Sequence, residues 1–83
     1  MVGRRVTPQI AFGQVLRLAR TGAGMSQEKL ALEAGIERNF VSLIETGQNQ
    51  PTITTLFKLA EALQRPAREL VEETQKRMET SQH

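Results

Sequence analysis

The sequence predicts an all-α protein, a compact bundle of five helices, and three observations lead there. Apolar residues recur at the i, i+3, i+4 spacing of a helix from about residue 8 onward, and helix is the only periodicity present. Residues that start or stop helices punctuate that pattern at Thr7-Pro8, Gly22, Gly24, Ser26, Gly35, Gly47, Thr52 and Pro66. The chain has 83 residues and no cysteine, which allows one small domain held by an adequate but modest core, with no disulfide and no thiolate metal site.

Residues 1–6 lack periodicity and are expected to form a mobile arm carrying Arg4 and Arg5. Thr7 is an N-cap followed by Pro8 at the first helical position, so helix 1 should cover residues 8–21. Phe12, Val15, Leu16 and Ala19 form its apolar stripe, and Met25 is expected to fold back on the core after Gly22 and Gly24 end the helix. Ser26 caps a short helix over residues 27–34, with Leu30, Ala31 and Ala34 on its buried side. Gly35 breaks that helix where the chain needs positive φ, and Ile36 follows as a buried plug.

A third helix is expected over residues 38–46, ending at Gly47. Val41 and Ile44 fall on one side of it, while Arg38, Asn39, Ser42, Leu43 and Thr46 share the other. That second face is mostly polar, and its donors suit the edges of nucleic-acid bases. The loop that follows, Gln48-Asn49-Gln50-Pro51, offers amides and backbone N–H groups to a phosphate. Thr52 then caps helix 4, residues 53–64, whose Ile53, Leu56, Phe57, Leu59, Ala60 and Leu63 are almost all assigned to the core. Pro66 opens helix 5, residues 67–79, anchored by Leu70 and Val71. Only Met78 is strongly apolar beyond them, so the far half is expected to bury little on its own domain and to be a solvated extension or a subunit contact. The organisation is therefore an arm (1–6), one domain (7–79, core motif 26–47) and a tail (80–83).

Net charge is only +2, but it is unevenly spread. Residues 1–29 carry five basic side chains against Glu28, whereas residues 30–83 carry six basic against eight acidic. A basic front and an acidic rear would orient the domain on a polyanion. Catalysis has little to stand on: there is no Cys, Asp, Trp or Tyr, the single His83 is terminal, and neither a phosphate-binding glycine loop nor a metal-ligand spacing occurs. Glu69, Glu72 and Glu73 read as a solvated acidic face. No enzyme, no metal, no cofactor and no small-molecule site are expected. No apolar run approaches the ~20 residues of a membrane helix, and no signal-peptide pattern opens the chain, so a cytoplasmic protein is expected.

The stretch from Ser26 to Gly47 resembles the helix-turn-helix of the phage-repressor-like (Cro/XRE) family. Ser26, Gln27, Leu30, Ala31, Gly35, Ile36, Val41, Ser42, Ile44, Glu45, Gly47 and Pro51 fall in register with the family pattern, and the resemblance extends from about Phe12 to Val71. It implies the phage-repressor bundle, a sequence-specific regulator bound to double-stranded DNA as a homodimer on a pseudo-palindromic site, and helix 3 in the major groove. By position, Arg38, Asn39, Ser42 and Leu43 would meet bases, and Gln27, Ser26, Gln48, Asn49 and Thr46 would meet phosphates. Arg20 and Glu45 would form the family's ion pair. Leu70, Val71 and Met78 on helix 5, with helix 4 as a possible addition, are the candidate dimer interface. Arg4 and Arg5 could reach a groove or phosphates. Two departures stand out: Glu37 replaces the usual Ser, Thr or Asp cap of helix 3, and Arg65 replaces an aliphatic residue, which would leave that corner more open. Phe40 is expected to pack between helices. A restriction-modification or phage controller, an antitoxin with a toxin partner, and a protein-interaction module without DNA contacts are the functions left open.

Overall fold

The computed structural model describes residues 6–80; Arg4, Arg5 and the tail residues 81–83, His83 among them, lie outside the described residues. Among the described residues there are five helices and no strand: α1 (Pro8–Gly22), α2 (Gln27–Ala34), α3 (Arg38–Glu45), α4 (Ile53–Leu63) and α5 (Ala67–Thr80). The predicted caps operate. Thr7 Oγ1 accepts from the Ile10 N–H at 3.2 Å, Ser26 Oγ from Lys29 at 3.0 Å and Thr52 Oγ1 from Thr55 at 3.1 Å. Each satisfies one of the donors that a helix start leaves without an intrahelical partner. Gly35 closes α2 at φ +73°, with the Ile36 N–H returning to the Ala31 carbonyl at 3.0 Å. Gln64 does the same for α4 at φ 58°, a left-handed position filled without glycine.

α1 is the hub, lying against both α5 and α3, while α2 packs on α3 and α4, and α4 on α5. Leu16, Leu30, Val41, Ile44, Leu59 and Leu70 are fully buried and belong to one cluster fed by all five helices. Burial of each such side chain contributes roughly 1.5–3 kcal/mol. Ile36 and Phe40 are only half-buried, packed on the edge of this cluster, so the residue after Gly35 seals a rim rather than filling the centre.

Four expectations need correction. Ile53 and Phe57 are 67% and 60% exposed, on a side of α4 that borders an open apolar hollow beside the start of α5 and is not covered by it. Leu70 is 0% exposed, so it belongs to the chain's own core and cannot form a dimer interface. The far half of α5 does not project into solvent: Leu70, Thr74 and Met78 share one helical face, Thr74 is buried with its hydroxyl on the Leu70 carbonyl at 2.7 Å, and Arg77 Nε donates to Gln14 Oε1 on α1. Met78 is half-buried on that same face. The Arg65 corner is closed, not open: its guanidinium reaches Glu69 at 3.3 Å and also Glu73, bracing the first two turns of α5.

Candidate nucleic-acid interface

The outward face of α3 is built by what its inner face buries. Val41 and Ile44 are fully buried, which turns Arg38 and Asn39 to solvent in the first turn, leaves Ser42 and Leu43 half-exposed, and exposes Thr46 at the end. Glu37 precedes the helix without a side-chain cap bond, and its carbonyl instead accepts from the Phe40 and Val41 N–H groups at 3.0 and 3.3 Å.

A chain of polar contacts fixes α3 to α1 and α2. Arg20 Nε donates to Glu45 Oε2 at 2.6 Å and Nη2 to Oε1 at 3.0 Å, a bidentate pair, and its Nη1 donates to the Met25 carbonyl at 2.8 Å. The two side chains are only 11% and 3% exposed. Hydrogen bonding to Glu45 raises the Arg20 pKa above its ordinary value, burial opposing and the Glu45 charge assisting. Gln27 Nε2 adds a third donor to the carboxylate, at 3.0 Å from Glu45 Oε1. Its own Oε1 lies 3.5 Å from Arg38 Nη1, at the limit of a hydrogen bond. Gln27 thus joins the buried pair to the exposed arginine. Arg20, Ser26, Gln27, Glu28 and Arg38 line a shallow polar recess at the start of α2.

Beyond α3 the chain turns at Gly47, φ +80°. The N–H groups of residues 47, 48 and 49 point inward, to the carbonyls of Ile44 at 3.0 Å and Leu43 at 2.9 and 3.1 Å. The expectation that this loop offers backbone N–H groups to phosphate therefore fails for Gln48 and Asn49, which with Gly47 cap the end of α3. The side chains of Gln48 and Asn49 are what the turn presents. Thr46 is also partly engaged, donating to the Ser42 carbonyl at 3.0 Å and accepting from Gln48 Nε2 at 3.0 Å.

Two contributors escaped the sequence reading. Gly13 brings α1 against the end of α3 so closely that a Cβ there would sit 2.3 Å from the Ile44 carbonyl oxygen. Its signal was a glycine inside an otherwise strong helix. Gln9, one turn earlier, donates to the Gly47 carbonyl at 2.5 Å, and no local pattern announces a contact across 38 residues.

The helix-turn-helix family model matches residues 16–70. The chain is 36% identical over 44 residues to an uncharacterized HTH-type transcriptional regulator, y4dJ of Sinorhizobium fredii, covering 53% of this chain and 57% of that protein. It is 38% identical over 56 residues to control protein C.BamHI of Bacillus amyloliquefaciens, covering 66% of this chain and 69% of that one. The crystal structure of the restriction-modification controller protein C.AhdI from Aeromonas hydrophila superposes with a TM-score of 0.73 at 44% identity, over 75% of this chain and 94% of the other. The chain thus spans little more than half the length of the first of these relatives.

Proposed function

This chain belongs to the helix-turn-helix family of DNA-binding transcriptional regulators, and from that premise we propose that it is a homodimeric controller reading a pseudo-palindromic operator, of the kind that governs a restriction-modification system. The matched controller proteins support that last step. In this reading α3 enters the major groove, with Arg38 bidentate on guanine and Asn39 on adenine, Ser42 on a base or phosphate, and Leu43 against a thymine methyl. Ser26, Gln27, Thr46, Gln48 and Asn49 hold the sugar-phosphate backbone on either side. The observation that carries it is the polar outer face of α3, held in place by the buried Arg20–Glu45 pair and Gln27.

The dimer surface is Ile53 and Phe57 on α4 with Val71 on α5. These are 67%, 60% and 50% exposed, and they flank one apolar hollow with Leu56, Pro66 and Ala67. An exposed apolar patch of this kind suits a two-fold dimer, which would set two copies of α3 about 34 Å apart, one turn of DNA. Residues 7–79 act as one DNA-binding domain. The chain supplies no chemistry of its own and works in the cytoplasm, where the DNA is. Selection of bound sites from random duplexes, with sedimentation of the complexes, tests the reading: two inverted half-sites occupied by two chains are expected. A single asymmetric site bound by one chain refutes the dimer, and no enriched sequence refutes specific recognition.

A further inference from the structure

We propose that Gln9 is a positioning residue for DNA binding: it holds the turn after α3 in the shape that presents Gln48 and Asn49 to the phosphate backbone. The inference rests on the reading of that turn as a phosphate contact.

Gln9 lies in the first turn of α1, half-buried, and its Nε2 donates to the Gly47 carbonyl across 38 residues of sequence. Gly47 is the left-handed residue at which the chain leaves α3, so its peptide orientation decides where the next two side chains point. The inward bonds of residues 47–49 all end on carbonyls of α3. They tie the turn to its own helix and set nothing relative to a second element. α1 supplies that second reference. A Cβ at Gly47 would lie 3.0 Å from Ile10 Cγ1, so Ile10 limits the turn by contact while Gln9 fixes it by a directed bond.

The need for such a bond follows from the chemistry of the groups presented. Gln48 and Asn49 are neutral, and a neutral amide holds a phosphate oxygen only within hydrogen-bond distance and angle. A lysine on a long stem could follow a displaced phosphate through long-range attraction; these two short-range donors cannot. Gln9 itself never touches DNA in this account. It acts through the turn.

The test is a cycle of DNA affinities on the preferred duplex at one fixed salt concentration, with thermal melts on every variant. Gln9→Met keeps the apolar stem and removes the donor; Gln9→Ala removes stem and donor together in the best helix former. The second arm is the pair Gln48→Ala and Asn49→Ala together. Loss of one or two neutral hydrogen bonds should weaken binding about three- to tenfold for Gln9→Met. The same change in the Gln48→Ala/Asn49→Ala background should cost less than about twofold, since the contacts it positions are already gone. The slope of affinity against salt should stay the same, because no charge is removed. Equal losses in both backgrounds overturn the proposal, for they mean a general loosening of the fold. Full affinity of Gln9→Met and Gln9→Ala overturns it while leaving the phosphate reading intact, provided the Gln48→Ala/Asn49→Ala variant binds more weakly. If that variant binds as well as the parent, both the phosphate reading and the positioning role fall.

Discussion

Breaking the Arg20–Glu45 pair should cost more than any surface ion pair in this chain, and unequally from its two ends. The pair is bidentate and nearly dry, with side chains 11% and 3% exposed. Removing one partner of such a pair typically costs about 3–5 kcal/mol, because the remaining charge is buried without compensation. A domain of 83 residues holds only about 4–12 kcal/mol in total. Arg20→Ala leaves the more deeply buried group, Glu45, with a single remaining donor from Gln27. Glu45→Ala leaves Arg20 with the Met25 carbonyl and nearer to water. Arg20→Ala should therefore lie at the upper end of the range and Glu45→Ala at the lower. A loss of 3 kcal/mol corresponds to a fall in Tm of roughly 12–24 °C for a domain of this size. The double variant Arg20→Ala/Glu45→Ala should recover at least ~2 kcal/mol of the summed losses. Denaturant titration of the four proteins measures this. Additive losses would mean that the two side chains do not interact, and the orientation of α3 would then need another cause. Ionisation of Arg20 adds no pH dependence in practice. Its folded pKa is raised, so its contribution is complete below the ordinary arginine range and disappears only as pH rises beyond that range.

Other substitutions separate packing from assembly. Gly13→Ala gains about 1 kcal/mol of helix propensity but drives a methyl into the Ile44 and Glu45 carbonyls, at 2.3 and 2.9 Å. Overpacking of this kind costs about 1–3 kcal/mol or more, so thermal melting should show a net destabilisation; an unchanged or raised Tm would show that α1 and α3 are not in tight contact. Phe57→Glu should shift sedimentation from dimer toward monomer with little loss of helix content, and a dimer that persists would place the interface elsewhere. Leu70→Ala should behave oppositely, destabilising the fold by about 2–5 kcal/mol; weakened assembly at unchanged Tm would restore Leu70 to the interface.

What the sequence made legible was mostly local. Thr7, Ser26 and Thr52 at the helix starts, and Gly35 and Gly47 at the stops, set the helix boundaries to within a residue, because capping is decided by groups three or four residues apart. The opposed faces of α3 followed from its helical period. The Arg20–Glu45 contact came through family resemblance alone, since nothing near either residue reveals the other. Tertiary choices were less readable. Helix 4 is apolar around more of its circumference than one neighbour can cover, and its period does not say that Ile53 and Phe57 are the side left over. Helix 5 looked unanchored beyond Val71 because a threonine stands in the middle of its buried stripe. Thr74 can be buried there only because its hydroxyl bonds the Leu70 carbonyl, a bond that hydrophobic periodicity does not register. The backbone donors of Gln48 and Asn49 were credited to phosphate because a loop sequence does not show that its N–H groups are already spent on the preceding helix.

Reading DNA and holding DNA are separable, and Asn39 separates them most cleanly because it carries no charge. Binding isotherms of Asn39→Ala on the selected duplex and on a scrambled one, at one fixed salt concentration, test the claim that the outer face of α3 reads sequence, with Arg38→Ala measured beside it. Asn39→Ala should lose roughly 1–3 kcal/mol on the selected site and much less on the scrambled one, with preference relaxed at one base pair per half-site. Arg38→Ala should show a comparable loss on the selected site and, having carried a charge, some loss on the scrambled duplex as well. Equal losses on both duplexes for Asn39→Ala would assign that residue to the backbone. Unchanged affinity of both variants for the selected site would contradict the recognition role of α3 altogether.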